Sequence, residues 1–534
     1  MRRVLNRGQP EKLSRFQFLV FSFVACFAVP PCSVANAADC DIAIVNGRVM
    51  DSETKFDGVR NVCVKGAKIT AITSDKLSGK ETIDAKGHVV APGFIDLHFH
   101  NVSTPFGQRL GLRDGVTTQL EIEAGVFPVD MWYSHMKGNS QANYGATVAT
   151  MSIRETVLNP KFKTEWGATI NDLAGGRQDL THVTMDWSTK VANQDQLKEI
   201  FKHIEDGLKQ GALGVGVPTG YMVDGITQRE TYGSQVLAGK YGRVVGLHGR
   251  FSGQDQRASG MLGTDEQLGA LASAGGGLVV QHMTAQCLAL SKYCQQMIDD
   301  AAGRGLKVIA ENYPYTYGAT IVGADYLKPA NYGPNMGHTY KDIVEIADMK
   351  PLTKERYEKL INTAPMTNVT FENVSKKDLM VALVHPTSII GSDAFPYANK
   401  SDGSQAVDWD TPFDSVNGHP RGAGTHAKVL QLVREEKLMP LMLAISKMTN
   451  MVADFMVDNG VEQLASKGRI KLGADADITV FDPKTVRQNA TPEKGGLPST
   501  GIPYVLVNGT IVVKDSKVLK DVYPGQPVRL PMME

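Results

Sequence analysis

Gly93-Phe-Ile-Asp-Leu-His-Phe-His100 decides how the rest of the chain is read. Alternate residues of a strand share a face, so His98 and His100 point the same way from the end of a short apolar strand. Two imidazoles so placed are able to hold one divalent ion, although a His-x-His pair is a weak signal by itself. Three later stretches of the chain add the weight. His248 closes Val244-Val-Gly-Leu-His, His282 closes Gly277-Leu-Val-Val-Gln-His, and Asp393 follows Ile389-Ile-Gly-Ser. Each polar group stands at the C-terminal end of an apolar strand pattern, where (β/α)8 barrels carry their catalytic groups.

Around these stretches the middle of the chain, about 91–455, alternates strand-like and helix-like patterns. Candidate strands are Phe94–His98, Val116–Glu121, Ala146–Met151, Thr181–Asp186, Ala212–Val217, Val244–His248, Leu278–His282, Leu306–Ala310 and Ser388–Ser392. A barrel needs eight, and Thr181–Asp186 is set aside as an excursion. Leu197, Ile200, Phe201, Ile204 and Leu208 recur at helical spacing until Gly211 ends the helix. Residues 326–385 read as an insertion between the last two strands, the usual place for a lid. Short alternating strands with Asn-Gly turns occupy both ends, at Asn46-Gly47 and Asn508-Gly509. The expected architecture is α/β: a (β/α)8 TIM-type barrel with a small β-sandwich domain built from residues 40–90 and 456–534.

The first residues have another texture. Arg2, Arg3, Arg7, Lys12 and Arg15 precede an apolar run from Phe18 to Val29, and Ala35-Asn-Ala37 offers a cleavage site. Residues 1–37 thus read as a signal peptide, too short in its apolar part for a membrane span, and the mature protein is expected in the periplasm or outside the cell. The 56 basic and 56 acidic residues balance, and removal of the leader leaves 51 and 55. That charge excludes nucleic acid as a natural partner. Four cysteines remain after cleavage, and Cys40–Cys63 and Cys287–Cys294 are candidate bridges, with four free thiols as the alternative.

From about Asp41 to Val513 the chain resembles the amidohydrolase superfamily, and within it the N-acyl-D-amino-acid deacylases, or D-aminoacylases. The resemblance rests on Pro92-Gly-Phe-Ile-Asp-Leu-His-Phe-His100, Gly115-Val-Thr-Thr118, Gly211-Ala-Leu-Gly214 and Ala310-Glu-Asn-Tyr-Pro-Tyr-Thr316. It extends to Gly418-His-Pro-Arg-Gly-Ala-Gly-Thr425, Lys447-Met-Thr449 and Lys471-Leu-Gly-Ala-Asp-Ala-Asp-Ile478. It implies that His98, His100, His248 and His282 are metal ligands and that Asp393 is the catalytic carboxylate, also near the metal. One or two zinc ions are the expected cofactor, since zinc accepts imidazole and carboxylate ligands with a place left for water. The implied reaction is hydrolysis of an amide, most simply deacylation of an N-acyl amino acid by metal-activated water. The partner is a small, carboxylate-bearing substrate.

Two departures from the deacylase pattern matter. The family's cysteine ligand is replaced by Ala124, and Glu121 and Glu123 stand just before it. Glu123 is the expected replacement, with Glu121 or a carboxylated Lys190 as the other bridging candidates. The lysine that the deacylases tend to place two residues after the last of these histidines, His282, is Thr284 here, so Arg250 and Arg421 are the candidates to hold the substrate carboxylate. Tyr221 is a further candidate substrate contact. His419 stands beside Arg421 and carries no metal role, nor do the remaining histidines. Rival readings are hydrolysis of a cyclic amide, dipeptide or lactone on the same fold, and a barrel that only binds.

Overall fold

The computed structural model describes residues 39–162, 185–253 and 258–533. The expected signal peptide lies outside the described residues, as does most of the Thr181–Asp186 stretch; Asp186 itself opens the short helix Asp186–Thr189.

Eight parallel strands form the barrel: Phe94–Asp96, Val116–Val126, Asn143–Ala149, Gly214–Gly216, Val244–Leu247, Gly277–Val280, Lys307–Asn312 and Ile389–Ile390. They are hydrogen-bonded in that order. Their residues are almost all buried, which is why several of them, such as Val244–Leu247 and Gly277–Val280, read as continuous apolar runs rather than as alternation. First and last strands meet through a parallel bridge between Phe99 and Ala394. The buried Asp96 carboxylate reinforces that seam, accepting the N–H of Ser392 at 3.0 and 3.2 Å and the N–H of His98 at 3.0 Å. Helices cover the outside, and Gln194–Lys209 shows how the sequence starts one. The Asn193 side chain accepts the Gln196 N–H, and the Gln196 side chain accepts the Asn193 N–H in return, a reciprocal cap.

The two ends of the chain build one β-rich domain. Val89–Pro92 pairs antiparallel with Ile478–Phe481, joining N-terminal and C-terminal strands in a branched nine-stranded sheet. The long strand Asp39–Asp51 makes the branch, pairing first with Ser78–Asp84 and then with Val89–Pro92. Strand alternation sends Val90, Ile478 and Leu506 to one face, with Ile44 and Val62, while Val89 and Ala91 pack with Leu112, Ala427 and Ile445 on the barrel side.

The tail departs from the expected boundary at 456. Helix Asn450–Asp458 and the Glu462–Ser466 turn pack under the barrel, where Val452, Met456 and Leu464 meet Leu97, Ile309 and Ile389. The final stretch also belongs to the barrel. Val528 N–H bonds to Tyr144 O and Leu530 N–H to Gly211 O, closing the floor beneath the interior. The insertion begins earlier than residue 326. Its antiparallel sheet starts with Tyr317–Ile321, which pairs with Asn368–Glu372, followed by Ile343–Glu345 and Lys350–Pro351. The partner of Tyr317–Ile321 lies some fifty residues on, beyond the reach of local pattern.

Both candidate disulfides are formed, with Cα separations of 5.4 Å for Cys40–Cys63 and 6.5 Å for Cys287–Cys294. The second ties the short helix Met283–Cys287, which follows His282 directly, to helix Ser291–Gly303. Among the described residues no helix is long and apolar enough to cross a membrane.

Asp96→Ala leaves the Ser392 and His98 N–H groups buried without an acceptor. A loss of about 2–4 kcal/mol in urea unfolding is expected. A loss under about 0.5 kcal/mol, the size of an ordinary surface change, would mean that the carboxylate does not hold the seam.

Candidate metal centre and active site

His98 and His100 leave the first strand together, and Glu121 and Glu123 arrive beside them on the second. That strand runs five residues beyond the expected Glu121, so Glu123 is carried on strand rather than loop. It leans over its neighbours because two of them are bare. A Cβ at Gly216 would lie 2.3 Å from the Glu123 carbonyl oxygen, and one at Gly246 would lie 2.2 Å from that of Ile122. Any side chain at either position would push Glu123 out of the barrel mouth.

The Glu123 carboxylate then sits between two groups. Its Oε2 is 2.6 Å from His98 Nε2 and 3.3 Å from His100 Nε2. Its Oε1 is 2.8 Å from His248 Nδ1 and 3.4 Å from His282 Nε2. Asp393 Oδ1 completes the first group, at 3.4 Å from His98 Nε2 and 3.3 Å from His100 Nε2. Two buried donor sets result, His98, His100, Glu123 and Asp393 on one side and Glu123, His248 and His282 on the other. His282 and Asp393 both have left-handed backbones, with φ of 31° and 53°. Such conformations are uncommon for residues with a side chain and cluster at functional sites.

The outer ring nitrogens are also held by carboxylates. Glu311 Oε2 takes His98 Nδ1 at 2.9 Å and the His282 N–H at 2.9 Å, and Glu121 Oε2 takes His100 Nδ1 at 2.7 Å. Carboxylates behind histidines in this way fix which ring nitrogen faces a metal and raise its basicity. Glu121 is therefore the orienting acid and Glu123 the shared one. Glu311 is not singled out by the sequence as a site residue. Its signal is its place, one residue past an apolar strand run, within Ala310-Glu-Asn-Tyr-Pro-Tyr-Thr316.

The electrostatics show what the cluster needs. Burial opposes a charged His98, but Asp393 and Glu123 outweigh it and hold its pKa up to about 10. Burial acts likewise on His100, and Glu121 again wins, raising it well above the usual range. The Glu123 carboxyl stays well below its usual range despite burial because His98, His100, His248 and His282 surround it. Asp393 is held low against burial by Arg421 and His98. Without an ion, protons on imidazole supply the positive charge that three close carboxylates demand. A divalent cation meets the same demand with better geometry, and the donor types suit zinc.

Beside the cluster lies a small, partly open cavity lined by His248, His282, Asp393, Arg421, Tyr221 and Tyr313. Arg421 is 1% exposed, and its Nη2 donates to Asp393 Oδ1 at 2.7 Å and to Ala319 O at 3.1 Å. Its guanidinium carbon also stands 5.0 Å from the centre of the Tyr313 ring. Tyr221 faces His248 with ring centres 4.9 Å apart. Arg250 is not brought to the cavity. Its fork closes on Glu266 at 3.0 and 3.2 Å, and Nη1 donates to Ile226 O at 2.8 Å, so its donors serve the fold. Lys190 is also placed elsewhere, exposed and paired with Asp186 at 2.6 Å. Thr284 bonds to Asn312 Oδ1 through both its hydroxyl and its N–H.

A profile described as amidohydrolase family matches residues 81–155. The chain is 26% identical to an N-acyl-D-glutamate deacylase of Alcaligenes xylosoxydans xylosoxydans, over 88% of this chain and 93% of that one. It is 24% identical to a D-aminoacylase of the same organism, over 90% and 96%. Among solved structures, an N-acyl-D-glutamate deacylase from Bordetella bronchiseptica, complexed with zinc and a phosphonate inhibitor, superposes with a TM-score of 0.71 at 22% identity, covering 92% of this chain and all of that one. A D-aminoacylase studied for its binuclear metal centre gives 0.70 at 20% identity, covering 91% and 98%. The chain is thus similar to the amidohydrolase family over residues 81–155, and to the two Alcaligenes enzymes over 88% and 90% of its length. The likeness accords with an enzyme of the metal-dependent type, and the His98-to-Asp393 cluster lies at the strand ends, where barrel enzymes carry their catalytic groups.

Two outcomes test this cluster as a metal centre. Glu121→Gln is expected to weaken zinc binding by about 10- to 100-fold while leaving the stoichiometry at saturating zinc unchanged. Glu123→Gln is expected to lower the stoichiometry itself, by elemental analysis, and identical behaviour of the two variants would remove the distinction between orienting and shared acid. The second outcome concerns protons. His98 keeps its proton until about pH 10 in the ion-free protein, and zinc needs the unprotonated ring. Zinc uptake in weak buffer near pH 7.5 should thus release roughly one proton or more per cluster, with apparent affinity rising with pH. Uptake without acidification would mean that the cluster is not protonated.

Proposed function

We propose that this protein is a zinc-dependent hydrolase of N-acyl amino acids, most simply of the D series, with His98, His100, Glu123, His248, His282 and Asp393 as its metal ligands. The single observation that carries the reading is the Glu123 carboxylate shared between two histidine pairs, with Asp393 on one of them beside the cavity. The relatives that are deacylases support the substrate class. Bound zinc would supply a water acidified toward a pKa of about 7 and a Lewis acid for the scissile carbonyl.

The chain's own groups do the rest. Asp393 is ionised and aimed at the cluster, so it takes the proton of the attacking water and delivers it to the leaving nitrogen. Tyr326 donates to Thr320 Oγ1 at 2.6 Å and Thr320 donates to the Tyr221 hydroxyl at 3.1 Å. That chain gives the Tyr221 oxygen a donor and leaves its proton for an oxygen of the substrate. Arg421 is the cation of the cavity wall, and its Nε has no hydrogen-bond partner among the described residues. It anchors the substrate carboxylate while Nη2 stays on Asp393. The remaining wall includes Tyr313, Tyr326, Met336, Ala319 and Phe371, which suits a neutral rather than an acidic side chain.

We further propose that the protein is exported and matures by cleavage after Ala37. The basic stretch, the apolar run and Ala35-Asn-Ala37 support this, as do two disulfides, which persist in oxidising compartments. The N-terminus of the protein recovered from its own cells is expected at Ala38, and an intact Met1 terminus would overturn export by this route.

The catalytic reading is tested by free-amine release from paired N-acyl-D- and N-acyl-L-amino acids. Release from D substrates with neutral side chains is expected, and none from any pair would refute deacylation and turn the search to cyclic amides, dipeptides and lactones. Asp393→Asn should cost about 10²–10⁴ in kcat. Arg421→Ala should raise KM for carboxylate-bearing substrates and lower kcat as well, because Asp393 loses its partner. A change in KM alone would show that Arg421 does not act on Asp393.

A further inference from the structure

His419 is fully buried, and two hydrogen bonds fix its tautomer. Nδ1 accepts the Arg421 N–H at 3.1 Å, so Nε2 carries the proton and donates to Tyr317 O at 2.8 Å. Arg421 reaches the same strand through its side chain, at Ala319 O. Tyr317–Ile321 is the edge strand of the insertion sheet, paired with Asn368–Glu372 on its other side. Residues two apart on a strand present their carbonyls to the same edge, so Tyr317 and Ala319 offer acceptors that the sheet itself leaves unpaired. The Arg421 N–H is equally in need, because Arg421 opens helix Arg421–Glu435 behind Pro420, which provides no side-chain cap. The His419-Pro-Arg421 turn satisfies both.

We propose that His419 is a positioning residue for the proposed hydrolysis, clasping the insertion's edge strand to the turn that carries Arg421 and so holding Arg421 on Asp393. The inference rests on the deacylase reading for its catalytic consequence and on geometry alone for the clasp. The strand so held matters to the cavity in two further ways. Ala319 is part of the cavity wall, and Thr320 orients the Tyr221 hydroxyl. Loosening the clasp therefore disturbs the Arg421–Asp393 contact and the Tyr221 donor together, while removing none of the proposed metal ligands.

The test uses the full mature zinc-loaded protein and three variants. His419→Phe keeps a ring of similar size and removes both bonds. His419→Gln can restore the donor to Tyr317 O, and His419→Asn the acceptor for the Arg421 N–H. Zinc content, amide hydrogen exchange of residues 317–321 and 368–372, kcat and KM are measured on each. For His419→Phe we expect normal zinc content, faster exchange in both segments and a fall in kcat/KM on the order of 10- to 100-fold. His419→Gln should recover most of both.

Unchanged exchange in His419→Phe would refute the clasp. A kcat/KM within about twofold of wild type, or a Gln variant no better than the Phe variant, would refute the positioning role. If His419→Phe fails to fold, the Gln and Asn variants decide. Gln above Asn is expected, and the reverse would overturn the Tyr317 bond as the acting contact. Wild-type protein inert toward every N-acyl substrate would refute the deacylase reading instead, and exchange alone would then decide the clasp.

Discussion

The Glu123 carboxylate turns one oxygen toward His98 and His100 and the other toward His248 and His282, within 2.6–3.4 Å of all four rings. Four imidazoles and two acids buried together are tolerable only if their charges cancel at close range, since neither water nor distance is available to screen them. Glu123 makes that cancellation possible by belonging to both halves. Much of the surrounding architecture serves its placement: a second strand extended into the barrel mouth, and glycines at 216 and 246 where any Cβ would collide with it.

A second layer keeps the rings from rotating. Glu311 and Glu121 take the outer nitrogens of His98 and His100, and Asp96 fastens the strand bearing His98 to the strand bearing Asp393. Asp96 is thus structural and catalytic in effect at once. It closes the barrel and, by the same bonds, sets the spacing of the groups that converge on the metal site. The insertion adds a third layer. It supplies part of the cavity wall and meets the barrel at Arg421, which bonds to Asp393 and to the insertion's edge strand through one nitrogen. Asp393, the cavity wall and the position of the insertion are therefore mechanically connected.

Much of this was legible in the chain. Continuous apolar runs ending in His98, His248, His282 and Asp393 announced strands buried on both faces with polar groups at one end, because a parallel barrel confines exposed polar chemistry to its rim. Asn-Gly turns at both ends announced strands that needed partners. The choice between Glu121 and Glu123 was not legible in the same way. Both lie on one face of one strand, and only the inward lean over Gly216 and Gly246 decides which acid reaches four histidines. Arg250 and Arg421 were both candidates in the sequence. Glu266, sixteen residues after Arg250, satisfies one fork, while Asp393 and Ala319 turn the other toward the cavity.

By itself, then, the sequence determined the barrel and the polar groups at its strand ends, because those follow from local periodicity, and it carried the resemblance to the amidohydrolases in its motifs. Tertiary structure alone decided which acid is shared, which arginine is available, where the insertion starts and that the tail closes the barrel floor. Those outcomes depend on contacts between residues tens to hundreds of positions apart, where one intervening side chain or one distant carboxylate changes the answer and no local pattern records it.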